Sequence, residues 1–116
     1  MISFEGLCRD FLNQIQINKF EIAGKNAISE KSLRRLITND QVVIVAIQNG
    51  AHWVTIVDVE ERSFDIACSA TALYLGPKYR EYESDKFDRT YNEQLSFQEL
   101  KLWNSYAILV KRISDV

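Results

Sequence analysis

Residues suited to soft-metal or thiol chemistry are scarce in this chain: histidine occurs once, at position 52, and cysteine twice, at 8 and 68. Two cysteines do not make a disulfide framework, and a Cys8–Cys68 bridge is not expected in a chain without an export signal. A metal centre built from His52, Cys8 and Cys68 is not expected either, since no Cys-x-x-Cys or histidine pair supplies the usual ligand spacing. No cofactor is expected. Apolar runs all fall short of the roughly 18 residues that a membrane-spanning helix needs, so insertion into a membrane is not expected. Met1-Ile2-Ser3-Phe4-Glu5 lacks the basic start and apolar block of a secretory signal, which makes the cytoplasm the expected location. Positive charge is not in excess: 14 Lys and Arg stand against 16 Asp and Glu, and Arg34-Arg35 is the densest basic pair. An electrostatic footprint for nucleic acid is therefore missing. Repeats, low-complexity tracts and linker-like segments are missing too. With 47% apolar and 26% charged side chains, residues 1–116 are expected to form one domain around a single core.

What is present is a legible order of elements. Phe4, Leu7, Cys8, Phe11, Leu12 and Ile15 recur at three- and four-residue spacing, which predicts an amphipathic helix over residues 4–17, capped by Ser3, with Cys8 on its apolar stripe. Phe20-Glu21-Ile22-Ala23 reads as a short strand ended by Gly24, and Ser29 opens a second helix carrying Leu33, Leu36 and Ile37. Val42-Val43-Ile44-Val45-Ala46-Ile47 is a β-branched run without alternation, as in a central strand covered on both faces. Asn49-Gly50 then turns the chain back into Ala51-His52-Trp53-Val54-Thr55-Ile56-Val57-Asp58-Val59. Ser96-Phe97-Gln98-Glu99 is a capping box that opens a helix with Leu100 and Trp103, and Tyr106-Ala107-Ile108-Leu109-Val110 follows as a strand. The expected fold class is α+β, with four or five mostly antiparallel strands packed against helices.

The single histidine opens an apolar strand, and Cys68 lies sixteen residues further on in Ser63-Phe64-Asp65-Ile66-Ala67-Cys68-Ser69. With a period of two, His52, Val54, Ile56 and Asp58 share one face of the strand and Trp53, Thr55, Val57 and Val59 the other. A three-residue loop at Glu60-Glu61-Arg62 pairs Val54 with Cys68 and puts Cys68 diagonal to His52, roughly 7–8 Å away at the backbone. A four-residue loop puts the two on opposite faces. Both registers remain open at this stage.

These segments resemble the papain-like cysteine peptidase domains that process double-glycine leader peptides. The resemblance spans Phe4 to Lys111 and rests on the Val42–Ile47 run, Ala51-His52-Trp53-Val54, Ser63 to Ser69, and Leu95-Ser96-Phe97-Gln98-Glu99-Leu100 leading through Trp103 to Tyr106–Val110. It implies a papain-like fold and makes His52 the general base. Cys68 stands where that family has an aspartate, and Ser69 where a proline commonly follows. The family's nucleophile sits at the start of a buried helix after a glutamine. Here the upstream cysteine is Cys8, forty-four residues before His52, with no glutamine in front of it. That interval is about one helix too short, so residues 4–20 match the family's second helix if its catalytic helix is missing.

Two readings follow. In the leading one the domain has lost its nucleophile and acid and binds a peptide or protein ligand without turnover. In the alternative it is a minimal cysteine peptidase or thiol hydrolase with Cys8 as nucleophile and His52 as base. A helix near its N-terminus and an imidazole beside it activate a thiol. A cysteine on an apolar stripe is equally an inert core residue, and this is the reading favoured for Cys8. A half-buried strand histidine bonded to a carbonyl is the plain reading of His52. A further possibility is that a second copy or a complementing chain supplies the missing helix. Trp53, Phe64 and Trp103 read first as core aromatics. The twenty-six residues from Ser69 to Gln94 are long for a loop, and their alternating tyrosines and charges suit an interface or an edge strand. The candidate ligand contacts are Trp53, Ser69, Tyr79 and Tyr82.

Overall fold

The computed structural model of the protein describes residues 5, 6, 8, 9, 20–50, 52–69 and 75–113. Most of the helix expected over residues 4–17 lies outside these, as does its Ser3 cap; Glu5, Gly6, Cys8 and Arg9 are helical. The chain runs through β1 (Phe20–Lys25), α1 (Glu30–Leu36), β2 (Gln41–Ile47), β3 (His52–Val59), β4 (Phe64–Ala67), β5 (Tyr82–Glu83), β6 (Thr90–Tyr91), β7 (Glu93–Leu95), α2 (Phe97–Leu100) and β8 (Ala107–Arg112). Six strands form one antiparallel sheet in the order β1-β8-β2-β3-β4-β7, and β5 pairs with β6 in a separate hairpin. The fold is α+β as expected, but the sheet has six strands rather than four or five. The uncounted strand is β7, which comes from the stretch read as loop. No helix among the described residues is long and apolar enough to cross a membrane.

Local signals set the helix starts. Ser29 accepts a hydrogen bond from the Ser32 amide at 3.2 Å, and Ser96 accepts one from the Glu99 amide at 3.2 Å while Glu99 accepts from the Ser96 amide at 2.9 Å. The second helix is shorter than expected, because Lys101 adopts a left-handed φ of 48° and ends it. Trp103 thereby leaves the helix and is 47% exposed, so it is not the core residue expected from the sequence. Its amide donates to the Ala46 carbonyl at 3.0 Å. Its ring lies over Gly50, whose φ of +87° and lack of a side chain let the turn after β2 close beneath it.

The bond from the Ser96 amide holds the Glu99 carboxyl below its ordinary value. A carboxylate whose folded value is depressed adds stability above the unfolded value, and that stability is lost as pH falls through the folded one. Glu99→Gln is therefore expected to lower stability at neutral pH and to lose that deficit as pH falls through the folded value of Glu99, as read from urea unfolding across pH.

One face of the sheet carries the core, with Val43, Val45, Ile56, Phe64 and Ile66 packed against Ile28, Leu33 and Leu100. On the other face the register aligns Gly24, Ile108, Ile44, Thr55 and Ala67. The Tyr106 hydroxyl and Glu5 carboxylate rest against Gly24 on this second face, where a side chain would meet them.

Neither of the simple registers between β3 and β4 is the observed one. Val59 pairs with Phe64, which makes residues 60–63 a four-residue connection. Asp58 pairs with Asp65, but Ile56 pairs with Ile66, so Val57 is an extra residue in β3, a β-bulge. The bulge undoes the one-residue slip, and Thr55 pairs with Ala67, which brings Val54 opposite Cys68. His52 and Cys68 therefore share a face despite the longer loop. The same bulge moves Asp58 off the face of Ile56 and onto that of Asp65. Arg89 supports the bulge, donating to the Val57 carbonyl at 2.7 Å and to the Thr38 carbonyl at 2.5 Å.

Candidate functional site

His52 begins β3 at the turn after β2, and Cys68 follows the last residue of β4. Because they share the core face, their side chains meet: His52 Nε2 lies 2.8 Å from Cys68 Sγ. Which of the two donates depends on the tautomer of the ring, and in either case each orients the other. Cys68 is 5% exposed and packs with the core residues.

The backbone of Cys68 is clamped by a residue that the sequence did not single out. Asn92 precedes β7, and its amide donates to the Ile66 carbonyl at 2.9 Å, continuing the pairing of β4 with β7 by one residue. Beyond that point its side chain takes over from the ladder. Asn92 Oδ1 accepts from the Cys68 amide at 3.0 Å, and Asn92 Nδ2 donates to the Cys68 carbonyl at 2.7 Å. Asn92 Nδ2 also donates to the Tyr79 hydroxyl at 3.2 Å, and that hydroxyl donates to Glu81 at 2.7 Å. The Glu81 contact pushes the Tyr79 phenol up, with Asn92 opposing it. No local pattern marks Asn92, because its role depends on where β7 docks.

A cleft of about 450 Å³ opens beside these residues, bordered by Cys68 itself and by Trp53, Thr55, Ala67, Ser69, Tyr79 and Asn92, with Ile44 and Val54 also lining it. Ile44, Thr55 and Ala67 bring the second face of the sheet to it, and Cys68 borders it while its sulfur meets His52 on the core face. Trp53, Ser69 and Tyr79, three of the candidate contacts, all line this cleft. Tyr82 is elsewhere: its ring packs on Tyr91 at 5.6 Å in the β5–β6 hairpin, 53% exposed, over a separate hollow.

Cys8 belongs to the helical segment whose Arg9 donates to the Ile22 carbonyl of β1 at 2.9 Å and whose Glu5 meets the Tyr106 hydroxyl at 3.3 Å. That segment rests on the second face, and β1 is three strands away from β3, about 14 Å at the usual strand spacing. Among the described residues, Cys8 makes no hydrogen bond to His52 or Cys68. Burial pushes its thiol up. The structure therefore pairs His52 with Cys68 and leaves Cys8 apart from both. Phe64 is wholly buried, as a core aromatic should be, with Phe97 6.5 Å away and the Arg34 guanidinium 4.9 Å over its ring.

No known protein family matches the sequence, and no characterised protein or solved structure matches the chain.

Proposed function

We propose that this chain is a papain-like domain in which the base–acid pair has become a packed imidazole–thiol pair, and that it binds a peptide or protein segment in the Trp53 cleft without cleaving it. The observation that carries the reading is the state of the thiol beside the cleft. Cys68 borders the cleft with Trp53, Thr55 and Ala67, yet it is 5% exposed and its sulfur is engaged by His52 on the core face of the sheet. Turnover by Cys68 would also need a donor for the oxyanion formed by attack on a carbonyl, a place that thiol and serine hydrolases fill partly with the nucleophile's own backbone N–H. Here that N–H is already spent on Asn92. An apolar floor with the hydroxyls of Thr55, Ser69 and Tyr79 at its margin suits an extended segment that offers one apolar side chain and its backbone.

The test is selection from a phage-displayed library of random peptides, followed by fluorescence anisotropy of a selected peptide. Ala67→Trp, which fills the cleft, is expected to weaken binding at least about tenfold. Cys68→Ser is expected to leave it within about threefold, with no cleavage product in mass spectra. Failure to select any peptide, or binding indifferent to Ala67→Trp, would sink the proposal. A second reading, a thiol hydrolase in which Cys68 is the nucleophile, is favoured by the 2.8 Å contact with His52. Peptide cleavage abolished by Cys68→Ser would establish it in place of the first.

A further inference from the structure

Two acidic residues interrupt the apolar runs of β3 and β4, and the fold brings them together with a third. Asp58 and Asp65 are paired across the strands and are both 0% exposed, and Glu60 stands at the start of the connection between them. One oxygen from each of the three carboxylates lies within 4.8 Å of the other two. Two wholly buried carboxylates beside a third are strongly unfavourable unless positive charge or protons compensate them.

Protein donors compensate only part of this. Asp58 accepts from the Val59 amide at 2.7 Å and from the Ser84 hydroxyl. Asp65 Oδ1 accepts from Gln94 Nε2 at 2.8 Å. Asp65 Oδ2 is buried and has no donor among the described residues. The Glu60 carboxyl is pushed up by its side-chain contact with Asp65 and then by burial, while Lys86 pulls it down and Asp85 adds to the push. The cations nearby are committed elsewhere: Lys86 Nζ donates to the Val59 carbonyl at 2.5 Å, and Arg89, which faces Asp58 through space, is held by the carbonyls of Val57 and Thr38. A buried carboxylate oxygen without a donor, on a residue clustered with two other carboxylates, calls for a cation.

We propose that Asp58, Glu60 and Asp65 form a binding site for a hard divalent cation of the calcium or magnesium class. All three donors are carboxylate oxygens, the chemistry that such ions select, and Glu60 is only partly buried, leaving a side on which water completes the shell. Ser84 belongs to the segment between β5 and β6, so an ion here ties that hairpin to the β3–β4 connection.

The experiment is thermal unfolding of chelator-treated protein with CaCl₂ or MgCl₂ at about 5 mM, against NaCl of equal ionic strength. At least one of the two ions is expected to raise the midpoint by about 5 °C or more. Asp65→Asn and Glu60→Gln are each expected to remove most of that increment while being at least as stable as the wild type in chelator, because each relieves carboxylate repulsion. If Asp65→Asn does not fold, the partly exposed Glu60 position still decides the matter. No ion-specific rise in the wild type would overturn the proposal and leave a proton shared between Glu60 and Asp65 as the compensating charge. An undiminished rise in Glu60→Gln would overturn it as well.

Discussion

In the folded protein Cys68 is expected to react with iodoacetamide at least about 100-fold more slowly than Cys8, with the difference vanishing in denaturant. Cys68 is 5% exposed, its sulfur is engaged by His52, and its backbone is held on both sides by Asn92. Alkylation then has to wait for local opening of the end of β4. Cys8 is only half-buried, and burial has already pushed its thiol up, which slows it and makes it a conservative reference. His52→Ala should open space next to the sulfur and speed the reaction of Cys68. Peptide mapping by mass spectrometry resolves the two cysteines. The reverse pattern, with Cys68 reacting ahead of Cys8 and slowed by His52→Ala, would reveal an activated thiolate–imidazole pair and favour the hydrolase reading over the binding one.

The Arg89→Ala variant is expected to lose about 2–3 kcal/mol of unfolding free energy, a large share of what a domain of this size holds in reserve. Arg89 makes two firm charge-assisted bonds, to the carbonyls of Val57 and Thr38, and a marginal one to Gln41 at 3.5 Å, and its guanidinium lies 5.0 Å from the centre of the Phe87 ring. Val57 is the bulged residue and is buried, so without Arg89 its carbonyl is left without that donor in a place water reaches poorly. Burial lowers the guanidinium from its usual value, and Asp58 counters this, so the arginine stays charged. Arg89→Lys should recover less than half of the loss, since a single ammonium cannot span carbonyls from two elements. Urea unfolding measures both variants. A change within about 0.5 kcal/mol, as for an ordinary surface substitution, would show that the bulge does not depend on this side chain. Because the bulge restores the face shared by His52 and Cys68, Arg89→Ala should also weaken the protection of Cys68.

The wrong expectations in the sequence reading have a common origin. Alternation along β3 placed Asp58 with His52, and counting the loop residues offered a three- or a four-residue connection as exclusive choices. The protein combines the longer loop with a bulge at Val57, held from outside by Arg89, a residue more than thirty positions along the chain. A period of two carries no sign of where a bulge falls. Tyr82, read with Tyr79 as part of an exposed edge strand and candidate contact, does lie exposed in a strand, with its ring on Tyr91 and away from the Trp53 cleft. The one available hint of the carboxylate cluster was an acid inside each of two apolar strands, Val57-Asp58-Val59 and Phe64-Asp65-Ile66.

The sequence by itself determined the features whose energetics close within a few residues. The β-branched run Val42–Ile47 and the turn at Asn49-Gly50 specify two adjacent strands, and Ser29 and Ser96 satisfy the first amides of their own helices. It also determined that His52 and Cys68 stand on neighbouring strands. Tertiary structure alone decided what those strands do together: the insertion of β8 between β1 and β2, the docking of β7 that brings Asn92 onto Cys68, and the bulge that returns Cys68 to the face of His52. Each of these pairs groups far apart in the chain. Their geometry is set by which buried donors and acceptors must be matched once the sheet has assembled, and no local pattern of residues records that requirement.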